Sequence, residues 1–310
     1  AAKPRPPLRP LGPLLPLPST LLCIKDMFLI ADSGSTKTQW NVIDRGQLVC
    51  EVFTKGLNPY FQTPEEMGRE LRSALLPYIP AGPYAAVRFF GAGCTPEKVS
   101  GMEEMLRANL PVDGGVVEVG SDMLGAARST CGREAGIACI LGTGSNSCFY
   151  DGTAITANVS PLGFILGDEG SGAVLGRLLV GLLLKNQLGE ELKERFLSEY
   201  GLTTADIIER VYRQPFPNRF LASFSPFITR HLDDPRMRQL VHGAFKDFFA
   251  RNVMQYDGYA DHPVHFVGSV AYHYQPLLRD TAEGLGLRVG IIAQSPMEGL
   301  RGYYSFFYQQ

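Results

Sequence analysis

The sequence predicts an α/β protein of two similarly built domains whose glycine turns face each other across a cleft. Three observations carry that expectation. A strand, a glycine-rich turn and a second strand open at Phe28 to Asp44, and the same order recurs at Gly136 to Tyr150. Glycine is in excess, 34 of 310 residues, or about 11% against a usual value near 7%. Many of these glycines follow apolar runs directly, where backbone turns tightly or approaches a ligand. Finally, 310 residues with 45% hydrophobic and 19% charged composition suffice for two packed cores.

The first domain is expected over 27–122. Phe28 to Ala31 reads as a strand and Asp32-Ser33-Gly34-Ser35-Thr36-Lys37-Thr38 as its turn, with Gln39 to Asp44 returning. Arg45-Gly46 is a hairpin signal into a third strand, Gln47 to Thr54. Thr63-Pro64-Glu65-Glu66 is a capping box with proline at the first helical position, predicting a helix towards Tyr78. Ala85 to Phe90 reads as a buried strand ending in Gly91-Ala92-Gly93-Cys94, and a helix should start at Pro96. A strand from Gly115 to Val119 then runs into Gly120-Ser121-Asp122.

The second domain, 123–294, restarts the grammar. Gly136 to Leu141 is its first strand, Gly142-Thr143-Gly144-Ser145-Asn146-Ser147 the turn, and Cys148 to Tyr150 the return, with Asp151-Gly152 as the next hairpin. Gly170 to Leu188 is too densely apolar for a surface helix and should be buried. Residues 190–256 carry helical patterns interrupted by Pro215 and Pro217, whose basic and aromatic residues read as amphipathic faces. Val264 to Val267 is a late strand leading to Gly268-Ser269-Val270-Ala271 and a helix, and Val289 to Ile292 a last strand. The tail, 295–310, is expected to pack back on the first domain.

Composition excludes several classes. Lys+Arg 29 against Asp+Glu 31 gives a net charge of −2, so neither nucleic acid nor an anionic membrane is an expected partner. No apolar run reaches the roughly 20 residues of a spanning helix; the longest, Ala173 to Leu184, is broken by Arg177. Cys23, Cys50, Cys94, Cys131, Cys139 and Cys148 show neither C-x-x-C nor zinc spacing and read as reduced thiols of a cytoplasmic protein. Seven of the 22 prolines lie in the first 18 residues. Residues 1–26 are therefore expected to be a disordered extension, with Pro4 to Pro7 as an alternative P-x-x-P docking arm.

The glycine clusters invite a nucleotide reading, and the commonest motifs fail it. No Gly-Lys dipeptide occurs, which excludes a P-loop. Gly170-x-Gly172-x-x-x-Gly176 is one residue too long for a dinucleotide fingerprint and follows the repelling charges of Asp168-Glu169. His262 and His265 flank Pro263 on a strand edge and read as a satisfied or exposed pair. What remains is Asp32 at a strand end, followed by Gly34, Ser35, Thr36 and Lys37. Their N–H groups and hydroxyls suit phosphate oxygens, and Asp32 could hold Mg²⁺ through water. With Gly142 to Ser145 opposite, the two turns would clamp a phosphate chain from both sides.

Asp-Ser-Gly-Ser-Thr-Lys-Thr at Asp32, Gly-Thr-Gly-Ser-Asn at Gly142, Gly-Asp-Glu-Gly-Ser-Gly at Gly167 and Val-Gly-Ser-Val-Ala at Val267 resemble, in order, the N-acetylglucosamine kinase group. That group lies in the BadF/BadG/BcrA/BcrD ATPase-like branch of the sugar kinase, heat-shock and actin superfamily. The resemblance covers Met27 to about residue 300 and implies two actin-like, ribonuclease H-like domains with ATP, Mg²⁺ and an amino sugar in the cleft. By it, Gly34, Ser35, Thr36 and Lys37 hold phosphate, Thr143 and Gly144 face the γ-phosphate, and Gly268 and Ser269 belong to the adenosine segment. Asp32 is the metal residue, Asn58 and Asp168 bind sugar hydroxyls, Gly163 approaches the sugar by backbone, and Asp122 is the catalytic base.

One departure concerns the substrate. Pro161-Leu162 precede Gly163 where the animal enzyme has Gly-Trp, which leaves glucosamine and N-acetylmuramic acid open beside N-acetylglucosamine. A rival from another class is the ATPase that activates radical dehydratases through a shared iron–sulfur cluster, for which Cys94 and Cys131 would be the thiols. Filament and chaperone relatives carry extra subdomains for which this chain is too short. The Cys-x-Cys-Gly-x-x-Gly-Cys zinc motif of regulator-like sugar kinases is absent. A homodimer is the macromolecular partnership left open.

Overall fold

The computed structural model describes residues 27–34 and 36–305. The expected extension 1–26, Ser35 of the first turn and 306–310 lie outside the described residues. β1 (Met27–Ser33), β2 (Lys37–Asp44) and β3 (Gln47–Lys55) form an antiparallel meander. The capping box is realised: Thr63 accepts from the Glu66 N–H and Glu66 reaches back to it, opening α1 (Pro64–Glu70). The helix continues to Tyr78 through a wide turn at Leu71–Leu75 and a tight one at Leu76–Tyr78. β4 (Ala86–Gly91), α2 (Pro96–Asn109) and β5 (Val116–Ser121) complete the unit, with β4 and β5 parallel to β1. The sheet order is β3-β2-β1-β4-β5.

α3 (Asp122–Cys131) leads into β6 (Gly136–Leu141), β7 (Ser145–Tyr150) and β8 (Ile155–Ala157), a second antiparallel meander. α4 (Gly163–Leu166) and α5 (Gly172–Leu184) follow, then α6 (Glu190–Tyr200), α7 (Thr204–Tyr212), α8 (Pro217–Ala222), α9 (Ser225–Arg230) and α10 (Pro235–Arg251). β9 (Val264–Val267), α11 (Ser269–His273), α12 (Gln275–Gly284), β10 (Val289–Ala293) and α13 (Met297–Ser305) end the chain. β9 runs parallel to β6 and β10 parallel to β9, in the order β10-β9-β6-β7-β8. The two sheets therefore share one topology, as the repeated opening predicts. β7 starts at Ser145, so the second turn is tighter than expected, and the Asp151-Gly152 hairpin leads into the short antiparallel edge strand β8.

Register places the site. Ser33 pairs with Gly91 and Gly91 with Ser121, so the parallel strands β1, β4 and β5 end together. Asp32 and Asp122 thus stand at the carboxyl ends of β1 and β5, on either side of β4, on the edge of the sheet where α/β folds bind ligands. In the second sheet Ile140 pairs with Val267, which sets Gly142 and Gly268 side by side. α3 joins the units: Ala126, Ala127 and Cys131 pack against Ala138, Cys148 and Val267 of the second. α13 returns to the first, burying Met297, Leu300 and Tyr304 against Phe28, Ile30 and Phe90. Glu118 of β5 fixes both helices, accepting from Arg88 at 2.7 Å, Arg128 at 2.6 Å and the Tyr304 hydroxyl at 2.9 Å.

Candidate active site

The first-domain turn is pinned at both ends. The Gly34 N–H donates to the Lys37 carbonyl at 3.0 Å. Beneath it, the buried Ser33 hydroxyl bonds Thr38 at 2.8 Å and the Leu57 carbonyl at 2.9 Å. Lys37 lies 5.0 Å above the Phe53 ring. At the head of α3, Ser121 is the cap and accepts from the Leu124 N–H at 3.1 Å, so Asp122 is not needed for that task. The Met123 N–H donates to Asp122 Oδ1 at 2.9 Å.

Burial pushes the Asp32 carboxyl up to about 7, helped by the charge of Asp122 and opposed by Lys37. Asp122 is likewise raised by burial, against the backbone N–H groups around it. Two half-buried carboxylates on the wall of one cleft make a place for a cation and for a base of more than usual strength.

The second turn hangs from the start of α5. The Gly172 N–H donates to the Gly142 carbonyl at 2.8 Å and the Ala173 N–H to the Thr143 carbonyl at 3.0 Å. Gly268 has φ +123°, and a Cβ there would stand 2.3 Å from the Leu141 carbonyl oxygen. Only glycine lets the chain leave β9 across the end of β6. Asp168, itself at φ +53°, accepts from the Ser145 N–H at 3.3 Å. Its carboxyl is raised to about 6, by burial first and then by Glu169, against that N–H.

These parts meet in one cavity of about 690 Å³ between the domains. From the first domain, Asp32, Gly34, Thr36, Lys37 and Asp122 line it. From the second come Thr143, Gly144, Gly268 and Ser269. Ser35 lies outside the described residues. Asn58, Gly163 and Asp168 are not on its wall. Asn58 Oδ1 accepts from the Tyr60 N–H at 2.9 Å, and the side chain lies against Gly93, next to the lining residue Ala92. Gly163, next but one to the lining Pro161, opens α4 at φ +74°. Asp168 sits behind Gly144, which its Oδ2 would touch at 3.2 Å from a Cβ.

Other lining residues lay outside the expected set. Gln39 and Ser295, bonded at 2.8 Å, tie β2 to the segment between β10 and α13 at the cavity wall. Asn146 also lines it, with its Oδ1 taken by the Ser147 N–H and by Asn158. A second cavity of about 510 Å³ shares Gly142, Thr143 and Ser269 and extends between α8, α9 and α11 to Ala222, Thr229 and Tyr274. Its size and largely apolar wall suit a nucleoside. The iron–sulfur rival fits poorly. Cys94 and Cys131 are buried, and burial pushes their thiols up to about 12 and about 11, the reverse of what cluster ligation requires.

No protein-family model matches the chain, and no curated protein sequence matches it. Solved structures do. A candidate N-acetylglucosamine kinase from Porphyromonas gingivalis is 56% identical over 90% of this chain and 99% of its own, with a TM-score of 0.87. A candidate N-acetylglucosamine kinase from Chromobacterium violaceum shares the fold at 20% identity and TM-score 0.70, covering 90% of this chain and 98% of its own. A glucokinase of the ROK family from Streptomyces griseus, solved with glucose and AMPPNP, also shares it, at 16% identity and TM-score 0.52, over 92% of this chain and the whole of its own. With two like sheets, an interdomain cleft and identity of that extent to the P. gingivalis protein, the chain belongs to the N-acetylglucosamine kinase group of actin-like sugar kinases.

Proposed function

We propose that the protein transfers the γ-phosphoryl group of ATP to the 6-hydroxyl of N-acetylglucosamine. One observation carries the reading: Asp122 lines the same interdomain cavity as both glycine turns. ATP would place its adenosine in the 510 Å³ cavity and its phosphates between Gly34–Lys37 and Gly142–Gly144. The N–H groups of both turns and the Lys37 ammonium would meet charge on the transferring group. Asn58, Gly163 and Asp168 stand just outside the phosphate cavity, where domain closure would bring them to the sugar. Asp122 would orient the hydroxyl and take its proton as the oxygen–phosphorus bond forms and ADP leaves.

A hard divalent cation fits the residues present. Mg²⁺ is bound by one or two carboxylates together with substrate phosphates and water, and Asp32 and Asp122 face one cavity with ionisation penalised by burial. Asp32 would hold the ion. When bound, it would neutralise charge on the phosphate oxygens. A cytoplasmic setting belongs to the same proposal, since that is where ATP and reduced thiols occur together.

An ADP-release assay over N-acetylglucosamine, glucosamine, N-acetylmuramic acid, N-acetylmannosamine and glucose tests the proposal. N-acetylglucosamine should give the highest kcat/KM. A higher value for glucosamine would reassign the acetamido pocket, and no sugar-dependent ADP at all would sink the kinase reading.

A further inference from the structure

The two acids of the Gly-Asp-Glu-Gly turn face different ways. Asp168 accepts from the Ser145 N–H at 3.3 Å, behind the second glycine turn. Glu169 turns instead to the end of α10, where the Arg251 guanidinium meets it at 2.6 Å and the Asn252 side-chain amide at 3.2 Å. Glu169 and Asn252 are both buried. The Glu169 side chain borders a hollow of about 100 Å³ behind the turn and is not on the wall of the phosphate cavity. α10 packs the following residue as well: a Cβ on Gly170 would stand 3.2 Å from Phe248 and 3.3 Å from Phe245.

The turn needs such a hold. Asp168 and Gly170 have φ of +53° and +71°, and a residue other than glycine keeps that backbone only where its surroundings enforce it. On the cleft side, the Asp168 N–H donates to the Pro161 carbonyl at 2.9 Å, and its own carbonyl accepts from the Ser171 N–H at 3.1 Å. On the far side, Glu169 supplies the charged anchor. We propose that Glu169, gripped by Arg251 and Asn252, is a positioning residue that fixes the turn and with it the Asp168 carboxyl. A buried carboxylate stripped of its partner must move towards water, so breaking the grip would release the turn. The consequence for sugar rests on the reading of Asp168 as a sugar-hydroxyl ligand. The consequence for the turn does not.

The Arg251 side chain is 60% exposed, so Arg251→Met should fold as the wild type does. Hydrogen exchange of the ligand-free chain reads the turn itself: the amides of Ser145 and of residues 168–171 should exchange faster in Arg251→Met and in Glu169→Gln. In both variants the sugar KM should rise by at least about fivefold, with kcat and the KM for ATP within about twofold. Arg251→Lys keeps the charge and should stay near the wild type. Added to Asp168→Ala, Arg251→Met should raise the sugar KM no further, because it acts through the residue already removed. Unchanged exchange would overturn the proposal, and so would an unmoved sugar KM where Asp168→Ala raises it. An effect of Arg251→Met that adds in full to that of Asp168→Ala would also overturn it. If Asp168→Ala leaves the sugar KM unchanged, the sugar reading of Asp168 falls, while faster exchange would still uphold the positioning of the turn.

Discussion

Asp122 and Asp32 look into one cavity from the ends of β5 and β1, on either side of β4, and burial raises both carboxyls. Ser121 already caps α3, so Asp122→Asn keeps the helix and the shape while removing the proposed base. Its kcat should fall by about 10²–10⁴, with both KM values nearly constant; more than a tenth of wild-type kcat would take Asp122 out of the proton transfer. Asp32 acts on stability as well. Its folded-state pKa, about 7, lies above the ordinary value of 3.8, so folding favours the protonated form. The stabilisation is whole below about pH 4 and is lost as pH rises through about 7. Without nucleotide, Asp32→Asn should therefore melt above the wild type at pH 8, by about 2–4 °C for each kcal/mol of relieved charge burial. That advantage should vanish near pH 4, and the variant should gain little from Mg²⁺ and ATP. A wild type that melts higher at pH 8 would contradict the burial of Asp32. Asp32 was legible in the sequence because it ends an apolar run before a glycine turn, and Asp122 through the family resemblance at a strand-to-helix junction. Gln39 and Ser295 were not, since their bond joins residues 256 apart.

α5 shows an element shaped by its glycines. A Cβ on Gly176 would stand 2.0 Å from the Leu221 carbonyl oxygen, and one on Gly172 would meet Ala222 and the Gly142 carbonyl at 3.2 Å each. The spacing that resembles a dinucleotide fingerprint instead lets α8 lie against α5, while the start of α5 holds the second turn. Gly176→Ala should cost about 1–3 kcal/mol by overpacking. It should also raise the KM for ATP more than that for sugar, because α8 and the second turn both line the 510 Å³ cavity. Unchanged melting and ATP kinetics would show that α8 can move aside freely. Sequence tells a glycine needed for phosphate from one needed for helix contact only when its neighbour is known. Leu221 lies 45 residues from Gly176, and nothing local announces it.

Across the whole molecule, the repeated strand order was readable because each meander carries its own turn signals and β1, β4, β5, β6 and β9 end at or just before glycine or serine. The 510 Å³ cavity was not. Ala222, Thr229 and Tyr274 come from α8, α9 and the α11–α12 junction, and in sequence their apolar neighbours are indistinguishable from core. α3 packs against both sheets and α13 against the first and α3, which leaves a cleft where the proposal sets ATP and the sugar. Phosphorus and proton NMR of the wild-type reaction with ATP, Mg²⁺ and N-acetylglucosamine tests that arrangement most directly. One phosphomonoester at the sugar 6-position should form for every ADP released. ADP with inorganic phosphate and unchanged sugar, or phosphate on the anomeric oxygen, would contradict transfer to the 6-hydroxyl.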